Sequence, residues 1–214
     1  MKKIITGIVI LFLMVMTFTA CQKDNTSPAE NNMATQLTPK QIALKKSMQQ
    51  AAIVIAQISG NKEVQKEIQN LINLGMYKDD YIRFKDLFNP ESNSKLKSTS
   101  TTLFAQAFRK VIRNGNYKHL KSSDVSDLEQ FLIDNNLTLY VPYPLSDYPE
   151  DMRTPTVSFN PLDNDSVNIG YEISNFKSTN SVETVQKVDE SYSEDHPVYI
   201  VTPQFADSVN GTGS

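Results

Sequence analysis

The sequence has no tryptophan, two histidines, seven glycines and a single cysteine in 214 residues. One cysteine excludes an internal disulfide and every cysteine-based zinc spacing. His119 and His196 are the only imidazoles, and neither stands in an HExxH pattern or in the context of a Ser-His-Asp triad. The few glycines form no Walker loop, no GxGxxG and no GxSxG elbow. No run of five like charges occurs, so there is no basic arm or acidic tail. With 24 acidic and 21 basic residues the net charge is −3, the wrong sign for a surface that binds a phosphate backbone, and no nucleic acid is expected as partner. No cofactor and no catalytic residue is expected on these grounds.

What the chain does have begins at its N-terminus. Lys2 and Lys3 precede an apolar run from Ile4 to Phe18, interrupted by Thr6, Gly7 and Thr17, and Ala20 and Cys21 follow. A short positive region, an apolar stretch and small residues before a cut describe a secretory signal peptide over 1–20. The run is shorter than the roughly 20 residues a membrane-spanning helix needs. The lone cysteine therefore sits where an export signal ends.

The stretch "FTAC", residues 18–21, resembles the lipobox of bacterial lipoproteins, with Phe18 where leucine is usual. The resemblance implies cleavage before Cys21, a lipid on its thiol and attachment to a membrane. Several acyl chains anchor firmly because each buried methylene contributes about 0.8 kcal/mol. "QKDN", residues 22–25, resembles the export signal of surface-exposed lipoproteins of the Bacteroidetes, in which a lysine precedes two acids. Lys23 and Asp24 fit that pattern, and Asn25 takes the place of the second acid. This resemblance implies an outer-membrane protein facing the cell exterior; the alternative is the periplasmic face.

Residues 21–37 read as the lipidated cysteine and a polar tether. Residues 38–136 read as a bundle of about five short helices. Thr38-Pro39 starts the first, whose apolar stripe is Leu44, Met48, Ala51, Ile55 and Ile58, with Gly60 to end it. "NKEVQKEIQNLINLG" is the second, with Gly75 beyond its end. "KDDYIRFKDLFNP" is the third, with Tyr81, Phe84, Leu87 and Phe88 on one face and Asn89-Pro90 as stop. "TTLFAQAFRKVIRNG" is the fourth. "SSDVSDLEQFLIDNN" is the fifth, starting at Ser123 or, with a Ser126/Glu129 capping box, one turn later.

After Asn136 the period becomes two. "LTLYV", "TVSF", "VNIGYEIS", "VETVQKV" and "PVYIVTP" are strand candidates for a small, mostly antiparallel sheet of four or five strands within 137–205. Five of the ten prolines fall between Pro142 and Pro161, so 142–155 reads as extended. Residues 206–214, ending "GTGS", read as a flexible tail, which suggests a shortened form or an N-terminal module of a longer protein. The fold class is α+β, helices first and sheet after.

Four places are candidates for chemistry. Asp189, Glu194, Asp195 and His196 lie within eight residues and could hold a divalent metal; the plainer reading is a solvated loop. Asp163 and Asp165 offer alternate carboxylates for calcium, or an Asx turn. Tyr140, Tyr143 and Tyr148 flank prolines and could line a groove, or pack the segment onto the sheet. Ser166 and Ser208 lie in two "DSV" stretches that resemble the O-glycosylation acceptor of exported Bacteroidetes proteins. The expected function is a membrane-anchored lipoprotein that binds a partner or supports the envelope without catalysis. The alternative is an accessory module of an exported, metal-dependent hydrolase. Pairing with a protein partner is a third reading, without an identity.

Overall fold

The computed structural model describes residues 38–77, 80–96, 101–114, 127–160, 169–173, 182–186 and 188–203. All lie in one compact unit, Leu37–Ser214. The expectations at Cys21, Lys23, Asp24, Asp163, Asp165, Ser166 and Ser208, the 1–37 leader and tether, and the 206–214 tail lie outside the described residues.

Helix α1 spans Pro39–Ser59 and starts as its sequence demands. The Thr38 hydroxyl accepts from Gln41 N at 3.3 Å while Gln41 Oε1 accepts from Thr38 N at 2.8 Å, a reciprocal capping box. Helix α2, Lys62–Asn73, is capped by Asn61, whose Oδ1 accepts from Glu63 N at 3.0 Å. Gly75 follows at φ +56°, the left-handed conformation that glycine adopts without strain.

The third expected helix is split between a strand and a shorter helix. Tyr81–Arg83 forms β1, and only Phe84–Phe88 is helical, as α3. The apolar spacing is helical, but the backbone bonds go to the sheet. Tyr81, Ile82 and Arg83 pair with Tyr140, Leu139 and Thr138, and Val141 N donates to Asp80 O at 3.0 Å. Pairing drives Ile82 to full burial. Pro90 then opens a 3₁₀ turn to Ser92.

Helix α4 is Leu103–Asn114 and α5 is Leu128–Asp134. The expected cap at Ser126 is outside the described residues. Its partner Glu129 forms a bidentate pair with Arg109 of α4, at 2.8 and 2.6 Å. Asn136, at φ +50°, turns the chain from α5 into β2, Thr138–Tyr140. The proline-rich segment is not simply extended: Leu145–Asp147 and Glu150–Met152 are 3₁₀ turns. Then come β3 (Thr156–Phe159), β4 (Ile169–Ile173), β5 (Val182–Gln186), α6 (Glu190–Asp195) and β6 (Val198–Thr202).

The fold is α+β, and among the described residues the sheet has six strands in the order β1-β2-β6-β3-β4-β5. The extra strand is β1, drawn from the helical half. All neighbours are antiparallel except β6 and β3. The last strand among the described residues thus lies in the middle of the sheet. One register row, Ile82–Leu139–Val201–Phe159, runs across four strands and is buried throughout.

Helix α1 packs on β3, β4, β5 and β6 and also touches α2, α4 and α5. Helices and sheet share one core. Phe84, Phe88, Phe104 and Phe108 form an aromatic cluster within it, with centroids 5.1–6.2 Å apart. Among the described residues no helix is long and apolar enough to cross a membrane.

Candidate functional site

The acidic stretch before β6 is a short helix rather than a loop. Asp189 is its N-cap and accepts from Tyr192 N at 3.0 Å through Oδ1, so this carboxylate starts α6. Glu194, Asp195 and His196 are exposed. The His196 ring stacks on Tyr192 at 4.4 Å and 13°. A helix turns about 100° per residue, which splays these side chains around the turn. Among the described residues no three His, Cys, Asp or Glu side chains come together to hold a metal, so Asp189, Glu194, Asp195 and His196 are not gathered.

The rings of this region serve packing. Tyr192 OH and Thr156 Oγ1 share a hydrogen bond of 3.0 Å, and buried Tyr148 donates to Ser193 O at 2.6 Å. Burial is the main cause that raises both phenols above their ordinary pKa. The residue just before the α6 cap passes so close to β4 that a Cβ on Gly170 would stand 2.8 Å from Val188 Cγ2, and 2.4 Å from Thr156 Cγ2 of β3. Of the other expected groove residues, Tyr140 stacks on Tyr81 at 4.4 Å and Tyr143 is exposed.

A second polar cluster lies after α2. Asp86 is buried in α3 and accepts from Tyr77 OH and, at 3.1 Å, from Asn93 Nδ2. Burial first, and Asp86 second, raise the Tyr77 phenol well above its ordinary pKa. Arg83 lies over the Tyr77 ring at 5.1 Å. This cluster is a tie: it fixes the turn after α3 to the segment before β1.

Open space lies on both flanks of α2. The larger hollow, about 490 Å³, has Leu71, Leu74, Pro90, Leu96 and Leu103 in its walls. Glu67 closes one side by capping α4: its two oxygens accept from Leu103 N at 2.9 Å and Phe104 N at 2.8 Å. Thr102 Oγ1 takes Ala105 N at 2.9 Å. Three donors at the start of α4 are therefore already satisfied.

The smaller hollow, about 270 Å³, lies between α2 and the proline-rich segment, with Lys62, Lys66, Gln69, Leu145, Glu150 and Arg153 in its wall. Gln65 holds the two sides together. Its Nε2 donates to Ser59 O at 2.5 Å and to Arg153 O at 3.0 Å. Arg153 Nε in turn donates to Tyr148 O at 2.9 Å. Lys62 reaches Glu150 at 3.7 Å, with both side chains more than three-quarters exposed, an arrangement that contributes little to stability. Lys66 and Asn70 line both hollows.

Sequence reasoning missed this site. The available signal was Lys62 and Lys66, Gln65 and Gln69, repeating at four-residue steps opposite Val64, Ile68 and Leu71. No protein-family model, curated protein or solved structure gives a significant match to the chain.

Proposed function

We propose that the chain is a lipoprotein, held to the outer membrane through Cys21 and facing the cell exterior, whose Leu37–Ser214 unit is a binding module. The observation that carries the reading is "FTAC" at the end of the apolar run, holding the only cysteine of the sequence. Lys23 and Asp24 support outward display. Residues 22–37 would act as a spacer; a coil of that length has an end-to-end distance of roughly 20 Å. The hollows beside α2 support ligand contact, because cationic and amide side chains there face open space.

The anchor is tested by metabolic labelling with an alkyne fatty acid. Label on the native chain and its loss in Cys21→Ala is the expected result; an unlabelled native chain overturns the anchor. Orientation is tested by adding protease to intact cells. The native chain is expected to be digested, and a Lys23→Ala, Asp24→Ala double variant to be protected. Protection of both would place the protein on the periplasmic face.

A further inference from the structure

We propose that the smaller hollow is a binding site for a small ligand carrying an oxyanion (a carboxylate, sulfate or phosphate), with Arg153 and Lys66 as its principal contacts. The inference deepens the binding-module reading and is independent of the anchor.

The first argument is charge. The chain as a whole is acidic, with 24 acids against 21 bases, yet the wall of this hollow has Lys62, Lys66 and Arg153 against one acid, Glu150. Lys62 and Lys66 stand four residues apart on α2, a like-charge spacing that helix energetics disfavours. Glu63 and Glu67, the other charged pair of α2, line only the larger hollow. Lys66 lies on the crest between the two hollows and Lys62 on the smaller one alone, so both acids of α2 are kept out of the smaller hollow. An anionic occupant of the cationic flank supplies the missing counter-charge.

The second argument is preorganisation. Arg153 is half-buried, its backbone oxygen is clamped by Gln65, and its Nε is bound to Tyr148 O. Among the described residues its two terminal nitrogens have no partner, nor does the Lys66 ammonium. A guanidinium fixed at Nε still presents a terminal fork that suits a planar or tetrahedral oxyanion. The Asn70 amide adds a neutral donor on the same rim, and Leu145 gives an apolar surface for the carbon body of the ligand. At about 270 Å³ the space falls just below the range of roughly 300–1,000 Å³ usual for drug-sized ligands, so the ligand is no larger than a single sugar or amino acid.

The test uses the full chain purified in a non-ionic detergent, with calorimetric titration at constant ionic strength. The probes are glucuronate, glucose 6-phosphate, inorganic phosphate and inorganic sulfate, with glucose as the uncharged control. Saturable binding of at least one anionic probe and none of glucose is expected. Arg153→Gln and Lys66→Gln should each weaken it tenfold or more. Glu150→Gln, which removes the competing carboxylate, should tighten it several-fold. Lys110→Gln, the same charge change at an exposed site on α4, should leave it unchanged. Binding of the inorganic ions as tightly as the sugar acids would assign recognition to the oxyanion alone; preference for the sugar acids would add Leu145. Both uphold the site. No saturable binding by any probe, or an equal loss in Lys110→Gln, overturns it. Lys66 and Glu150 are exposed, so their variants keep the test decisive even where Arg153→Gln fails to fold. Because the purified chain is titrated, failure here leaves the fatty-acid labelling result standing.

Discussion

Helices α1 and α2 are joined only by Gly60 and Asn61, yet they meet their surroundings in opposite ways. From Gln50 to Ala56 every residue of α1 is buried, nearly two full turns with no solvent side. α2 buries Val64, Ile68 and Leu71 and leaves Lys62, Glu63, Lys66 and Asn70 exposed. The difference follows from their neighbours: α1 lies against four strands and three helices, whereas α2 has open space on both flanks. A helix buried all round can contribute only stability. A helix with a free polar face can also contribute recognition.

The largest effects should come from α1. Ile55→Ala leaves a cavity in the shared core and should destabilise by about 2–5 kcal/mol, read as a shift of the denaturant midpoint. Ile68→Ala, on the inner face of α2, sharpens the contrast. An equal cost would show that the inner face of α2 is as integral as α1, and only its outer face is set apart.

Next is the tie that follows α2. Tyr77→Phe deprives buried Asp86 of one of its two donors, which should cost about 1–3 kcal/mol at neutral pH. The same phenol, with Tyr199, gives the fold an alkaline limit. Burial raises both above the ordinary value near 10. The folded state therefore keeps protons that the unfolded state releases. That stabilisation is complete below pH about 10 and is lost as pH rises from there toward the folded values. The thermal midpoint should be level from neutral pH to about 9 and fall above 10, less steeply in Tyr77→Phe. An equally steep fall in the variant would remove Tyr77 as a cause.

Much of the fold was legible because its signals are local. Thr38-Pro39 and Gly60 bound α1, Gly75 ends α2, alternation marks β2, and short runs rich in β-branched and aromatic residues mark β3 through β6. β1 was not legible. Tyr81, Phe84, Leu87 and Phe88 are spaced as on a helix, and only pairing with Tyr140, Leu139 and Thr138 makes Tyr81–Arg83 a strand. α6 was missed because a helix of six residues has almost no periodicity to read. The candidate site was less legible still. Half of it, Lys62 and Lys66, is a helical repeat, but Arg153 comes from a segment that reads only as proline-rich. The contact that brings the halves together, Gln65 to Arg153, joins residues 88 positions apart.

The polar face of α2 is not uniformly free, and Glu67 marks the exception. By accepting from Leu103 N and Phe104 N it does for α4 what an N-cap carboxylate does. Glu67→Ala should cost about 1 kcal/mol, within the roughly 0.5–2 kcal/mol measured for lost caps. Amide exchange should quicken at Leu103 and Phe104 first. Unchanged exchange there would mean that Thr102 alone holds the start of α4.

The smallest effect on stability is the most telling. Lys66 is exposed and, among the described residues, makes no hydrogen bond or ion pair, and it stands four residues from a like charge. Its removal relieves that repulsion and gives up an attraction to Glu63 three residues before it, each a few tenths of a kcal/mol, and breaks no bond. Lys66→Gln should therefore hold the denaturant midpoint within about 0.5 kcal/mol of the native value, or raise it slightly. Ile55→Ala, which keeps the cations and damages the core, should do the reverse: lower the midpoint and leave anion affinity near native wherever the chain remains folded. If Lys66→Gln destabilises as Ile55→Ala does, the lysine is part of the scaffold and the division between the two helices fails. If it changes affinity alone, α1 holds the fold and the outer face of α2 holds the ligand.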